Sequence, residues 1–171
     1  MKKDKTLLNQ VASASYDPAD RPFDFVVGGC PTALVCESDP VRREKINISL
    51  KETGYQITTP ATAIEALKAM RFHIFDVVVL NELFDSVDPP TNSVLGYLEN
   101  MVMTTRRRFF VVLVSDRYRT MDGMAAFNRS VNIIINCNDI DNVAEIIRQG
   151  VVENRAFYHV FQESLRKMGK V

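Results

Sequence analysis

The chain has 171 residues, of which 46% are hydrophobic, and its 21 Lys and Arg residues balance 21 Asp and Glu residues. That length accommodates one domain with a sizeable core and some extra length at the ends. The apolar fraction excludes wholesale disorder, and the charge balance excludes a global field that would draw the chain onto nucleic acid or an acidic membrane.

Cys30, Cys36 and Cys137 are few, odd in number and lack a CxxC pair. This argues against a disulfide scaffold or a zinc site and fits a reducing cytoplasm, with no metal or cofactor expected. Lys2, Lys3 and Lys5 precede Leu7 and Leu8, but Asn9 and Gln10 break the apolar stretch at once, so a secretory leader is rejected. No apolar run approaches the roughly 18 residues of a membrane span.

Residues 1–31 contain Pro18, Pro22, Gly28 and Gly29 and show no sustained period; they read as a leader or linker. Within them Phe23, Phe25, Val26 and Val27 are too apolar for a simple tether and are expected to dock on the domain or on a partner. Residues 32–171 form the domain proper. Thr32–Cys36 reads as a strand. Asp39 can cap a helix that has Pro40 in its first turn, carries Val41, Ile46, Ile48 and Leu50, and stops near Gly54. A short strand over 55–59 and a helix over 61–70 follow. Phe75–Leu80 (FDVVVL) holds a β-branched run expected of a central strand buried on both faces. Beyond Pro89 and Pro90 the pattern predicts a helix over 93–104, a strand over 109–114, a short helix over 120–127, a strand over 131–135 and a long helix from Asp139 onward. The short basic run Arg106, Arg107 and Arg108 falls at a helix end, where cations complement the helix dipole, although a phosphate or partner contact stays open.

Strands alternating with helices at this spacing predict right-handed βαβ units and a parallel sheet with helices on both faces. The fold class is therefore α/β: a flavodoxin-like, doubly wound, five-stranded sheet in the order 2-1-3-4-5, with an extended C-terminal helix. In such folds ligands meet the carboxyl ends of the strands. Those ends hold Glu37, Ser38 and Asp39, then Asn81 and Glu82, then Ser115 and Asp116, and finally Asn136 and Cys137.

The segments at these ends carry a family likeness. Ala33–Pro40 (ALVCESDP) resembles the first strand and acidic corner of response-regulator receiver domains. Asp76–Asn81 (DVVVLN) resembles their phosphoacceptor strand, Phe110–Ser115 (FVVLVS) the strand ending in Ser or Thr, and Asn132–Cys137 (NIIINC) the strand ending in Lys-Pro; Thr62–Leu67 (TAIEAL) is similar to their second helix. Each motif is weak alone, but five in order over residues 32 to about 150 are specific. The resemblance implies a soluble two-component signal-transduction domain of the chemotaxis-regulator type.

The departures from that pattern concern function. The place of the nucleophilic Asp holds Asn81, whose amide carries no charge to drive attack on phosphorus. The acidic pair that holds Mg²⁺ has become Glu37 and Ser38, and Mg²⁺ depends on such oxygen anions. The Lys corresponds to Asn136, its Pro to Cys137 and the switch aromatic to Ile133; Ser115 alone matches. The resemblance thus implies a degenerate pocket of Glu37, Ser38, Asn81, Ser115 and Asn136, with no catalytic residue. A phosphorylation-independent pseudo-receiver acting as a protein-interaction module in bacterial signalling is expected, and not an enzyme. A small-ligand or nucleotide-binding domain using the same crevice stays open, as does a receiver with an unusual acceptor such as Glu82 or Asp85. A residual metal site of Glu37, Asp39 and Glu82, and an approach of Cys36 to Cys137, are weighed and set behind helix capping, solvated loop acids and inert buried thiols.

From Asp141 to about Lys167 no Pro intervenes and only Gly150 weakens the helix. A helix of that length, about 40 Å, outruns strands of about 17–20 Å. Its second half, with Phe157, Val160, Phe161 and Leu165, is expected to overhang and mark an interface. A homodimer through this helix is preferred, since receivers commonly associate through the neighbouring face; cover by the chain's own leader or by another protein are the alternatives, and ordinary core stays open for Phe157. Neither nucleic acid nor membrane is expected as a partner.

Overall fold

A computed structural model describes residues 29–88 and 91–169, except the side chains of residues 162 and 165. The expectations for residues 1–28 lie outside the described residues. In chain order the elements are β1 (Thr32–Cys36), α1 (Pro40–Glu52), β2 (Gln56–Thr58), α2 (Ala63–Phe72), β3 (Val77–Asn81), α3 (Ser93–Glu99), α4 (Met103–Arg106), β4 (Phe110–Ser115), α5 (Gly123–Asn128), β5 (Ile133–Asn136), a 3-10 turn (Cys137–Asn142) and α6 (Val143–Lys167). The strands form one parallel sheet in the order β2-β1-β3-β4-β5.

Every residue of β1, β3 and β4 is buried. Because successive side chains point to opposite faces, each strand supplies two cores. On one face Leu34, Val78, Leu80, Val111, Leu113 and Ile134 pack beneath α2, α3 and α5. On the other Val35, Val79, Val112 and Ile135 pack beneath Ile46 and Leu50 of α1 and Val143, Ile147 and Val151 of α6. Full burial of each such aliphatic side chain stabilises the fold by roughly 1.5–3 kcal/mol.

Local chemistry sets the helix ends. Asp39 caps α1 by accepting the Arg42 N–H at 2.8 Å, with Pro40 at the first helical position. Thr62 caps α2 by accepting the Glu65 N–H, while the Glu65 carboxylate returns to the Ala61 N–H at 2.8 Å. Asn92 caps α3, and Asp122 caps α5.

Four details differ from the sequence expectation. In α1, Ile46 and Leu50 form the buried ridge, and Val41 and Ile48 are exposed; Ile48 lies about 200° around the helix from Ile46, on the solvent side. The helix expected over 93–104 is two helices. Asn100 closes α3, its side-chain amide donating to the Gly96 carbonyl at 2.7 Å, and Val102 is extended before α4 begins. The last helix starts with a 3-10 turn and becomes α-helical at Val143. Gly150 proves to be a contact residue: a Cβ there would stand 2.7 Å from Cζ of Phe110. The glycine lets α6 pass closely over β4 and β5. No helix among the described residues is long and apolar enough to cross a membrane.

Candidate functional site

The carboxyl ends of β1, β3, β4 and β5 converge on a corner built of charged and amide side chains. Glu37, just after β1, is buried, and Asn81, the last residue of β3, is buried beside it. The Asn81 amide nitrogen donates to Glu37 Oε2 at 2.8 Å, and its Oδ1 accepts the Leu83 N–H at 2.8 Å. Only this amide orientation gives both contacts a donor and an acceptor. Glu37 Oε1 accepts the Asp39 N–H at 2.9 Å. The guanidinium of Arg42, one turn into α1, sets Nε 3.5 Å from Glu37 Oε2 and Nη1 4.0 Å from Asp116 Oδ2. An arginine thus supplies the corner's positive charge from within the chain.

A second group lies alongside. Glu82 is buried and accepts the Ser115 hydroxyl at 2.6 Å and both Nε and Nη2 of Arg117, with Arg129 Nη2 at 3.9 Å. Burial by itself would raise the Glu82 pKa. The hydrogen bonds from Arg117 and Ser115, with the charges of Arg117 and Arg129, outweigh it and hold the carboxyl below its usual range. The Ser115 hydroxyl oxygen in turn accepts the Arg117 N–H at 3.1 Å, and Arg129 reaches the Tyr118 hydroxyl. Asn92 joins the two groups: its amide nitrogen donates to the carbonyls of Asn81 and Glu82, both at 3.1 Å, while its oxygen accepts the first N–H groups of α3.

Of the five pocket residues expected from sequence, Glu37 and Asn81 are in direct contact. Ser115 and Asn136 are register neighbours on β4 and β5, but their side chains diverge. Ser115 turns to Glu82, and the Asn136 amide donates to the carbonyls of Tyr118 at 2.7 Å and Asp116 at 3.4 Å. Ser38 is exposed. Arg42, Asn92 and Arg117 escaped the sequence reading. Asn92 could have been found as an N-cap just after Pro89-Pro90; the two arginines carry no local signal, because their partners are 5 and 35 residues away in sequence.

The corner does not fit Mg²⁺. Six oxygen ligands are the requirement of that ion, whereas Glu37 is already occupied by an amide, a backbone N–H and a guanidinium. Asp39 is committed to its cap, the Arg42 N–H being the main influence that lowers its pKa. Among the described residues no three His, Cys, Asp or Glu side chains stand together as a metal site. Asp85 accepts the Ala63 N–H at 2.8 Å. Cys36 on β1 and Cys137 after β5 are free thiols with β3 and β4 between their strands. Burial raises the pKa of both, that of Cys137 to about 12 with a contribution from Asp116.

The expected interface residues lie on the second half of α6. Phe157 is 79% exposed, so it is not core, and Val160 is also exposed. Arg107 sits over the ring of Phe161 at 5.0 Å. The Leu165 side chain falls outside the described residues.

No family model matches the chain, and no curated protein matches it either. Solved structures do. The receiver domain of a Francisella response regulator superposes with a TM-score of 0.58 at 18% identity, covering 72% of this chain and 98% of that one. A Polaromonas sensor protein gives 0.57 at 21% identity over 72% of this chain and 98% of that one. A CheY-like receiver domain protein from Methanospirillum hungatei gives 0.57 at 16% identity over 74% and 98%. The fold is that of response-regulator receiver domains.

Proposed function

We propose that this receiver fold works without phosphoryl transfer, as a protein-binding module in signalling or regulation. The observation that carries the reading is the contact between Asn81 and Glu37, with Arg42 beside it. At the end of the central strand, where a receiver needs an anionic nucleophile and a metal, the chain places a neutral amide and its own guanidinium. The two acids weighed as alternative acceptors are engaged elsewhere, Glu82 by Ser115 and Arg117 and Asp85 by the α2 N-terminus.

The binding surface flanks edge strand β5. On α6, Phe157 and Val160 follow Val151, the last residue of the helix packed in the core, and both are exposed. On α5, Met124 and Phe127 add exposed apolar area that the sequence reading missed. Exposed apolar side chains on both sides of a sheet edge favour a protein partner, and a second copy of this chain is the preferred one.

The test has two arms. Incubation with acetyl phosphate and Mg²⁺, followed by intact-mass measurement, is expected to leave the chain unmodified; a phosphoryl group recovered on Glu82 or Asp85 would overturn the reading. Sedimentation velocity is expected to show a concentration-dependent dimer. A monomer at all concentrations that also captures no partner through this surface removes the second half of the proposal.

A further inference from the structure

Helix α5 displays Met124 and Phe127 to solvent, yet apolar packing anchors it poorly. It is six residues long, and only the small side chains of Ala125 and Ala126 are buried. Two alanines bury far less apolar surface than the Val143, Ile147 and Val151 with which α6 holds the sheet. A helix so short also has little stability of its own. Its position therefore depends on what fixes the chain on either side of it. Part of that hold comes from β5, where the Thr120 hydroxyl accepts the Asn136 N–H and the Met121 N–H donates to the Ile134 carbonyl, both at 2.9 Å.

The other ties converge on one carboxylate. Arg117, in the loop before α5, donates to Glu82 through Nε at 3.1 Å and also through Nη2. Arg129, the C-cap of α5, sets Nη2 3.9 Å from Glu82 Oε1. Tyr118 links the two arginines. Its hydroxyl accepts Nε and Nη2 of Arg129 at 3.3 and 3.2 Å, and its ring lies 5.5 Å from the Arg117 guanidinium and 6.0 Å from that of Arg129. Glu82 is itself held firmly. Its N–H donates to the Val114 carbonyl at 2.9 Å, its carbonyl accepts Asn92, and its carboxylate accepts Ser115. Hydrogen bonds to an ionised acceptor are stronger than those between neutral groups, so this buried acid is a rigid reference point for the segments that enter and leave α5.

We infer that Glu82 is the positioning residue of the partner surface: by gripping Arg117 and Arg129 it fixes the angle at which α5 offers Met124 and Phe127. The corner thus keeps a task that needs no phosphoryl group, because an acid at the end of the central strand sets the shape of a helix at the edge of the sheet. The inference rests on the partner surface proposed above and names the residue that arranges it.

Three variants of the full-length chain test it. Glu82→Gln removes the charge that both arginines share, and Tyr118→Phe removes the hydroxyl that links Arg129 to the loop. Ala66→Gly is the control, lowering stability from within α2, the helix between β2 and β3. Amide exchange at residues 123–131 is expected to quicken several-fold in Glu82→Gln and in Tyr118→Phe, beyond any change in the amides of β1. Sedimentation equilibrium far below the melting temperature is expected to show self-association weakened about threefold or more in Glu82→Gln and unchanged in Ala66→Gly, a split that a merely structural role would not produce. Unchanged exchange at 123–131 in both corner variants refutes the grip. Unchanged association in Glu82→Gln, or an equal weakening in Ala66→Gly, refutes its bearing on the surface. A wild-type chain that stays monomeric at all concentrations is a different failure: it sinks the self-association reading and takes this inference with it.

Discussion

Asn81 and Glu37 meet through a buried hydrogen bond of 2.8 Å between an amide nitrogen and a carboxylate oxygen. The pair joins the end of β3, the central strand, to that of its neighbour β1, and needs no outside cation. An aspartate at position 81 would put two carboxylates in contact at that distance, which forces a proton or a metal ion between them.

Asn81→Asp is therefore expected to destabilise the chain by roughly 1–3 kcal/mol at neutral pH, because an acceptor replaces a buried donor. The like charge of Glu37 raises the new carboxyl's folded-state pKa above the ordinary value of about 4. By linkage the penalty is absent below the unfolded value and grows as pH rises through the folded one. Thermal melts of wild type and variant from pH 4 to pH 8, with and without Mg²⁺, check it. Equal stability of the two proteins at pH 8 without metal would mean that the corner tolerates paired anions.

Glu82 titrates in the opposite sense. Its folded pKa is depressed, so its contribution is present above the unfolded carboxyl value and is lost as pH falls through the folded one. Glu82→Gln is expected to lower the melting temperature at neutral pH by a few degrees and to flatten the acid limb of the stability curve. The β4–α5 loop should loosen as well, because Arg117 and Ser115 lose the carboxylate they share. Melts over pH 3–7 with amide exchange at residues 115–122 are the measurement; parallel acid limbs would show that Glu82 contributes nothing to them.

The architecture was legible because it follows from periodicity. The runs at Thr32–Cys36 and Val77–Leu80, and the cap at Asp39 followed by Pro40, mark strands and a helix start by local chemistry alone; alternation then predicts a parallel sheet, and the fold class it points to supplies the strand order. What escaped depends on contacts distant in sequence. Whether Ile48 or Ile46 is buried depends on the face that α1 presents to the sheet. Arg42 belongs to the corner because its helix passes Glu37 and Asp116, the latter 74 residues away. Phe127 reads as an ordinary helical apolar residue until Ala125 and Ala126 are seen to take the inward positions.

Gly150 illustrates a position that the sequence marks wrongly. As an isolated helical glycine it looks like a weakness, and alanine should add about 1 kcal/mol of helix propensity. In the fold, an alanine methyl would stand 2.7 Å from the buried ring of Phe110, and overpacking of that kind costs roughly 1–3 kcal/mol. Gly150→Ala is expected to be destabilising, and combining it with Phe110→Leu should recover part of the loss. Chemical denaturation of Gly150→Ala, Phe110→Leu and the double variant decides the matter; a stabilised Gly150→Ala would mean that α6 moves off the sheet without penalty.

The partner surface makes the last prediction. Phe157 lies far out in solvent, so Phe157→Asp removes no core packing and should leave the melting temperature of dilute protein within a degree or two of wild type. A buried charge at a dimer contact is costly unless it is paired, so the same substitution should weaken self-association by at least tenfold in sedimentation equilibrium. Phe127→Asp, on the other side of β5, should do likewise if both helices face one partner. Loss of association in the Phe157 variant alone would confine the contact to α6. A loss of melting temperature in dilute monomer would instead show Phe157 to be packed within its own chain, and the partner surface would have to be sought elsewhere.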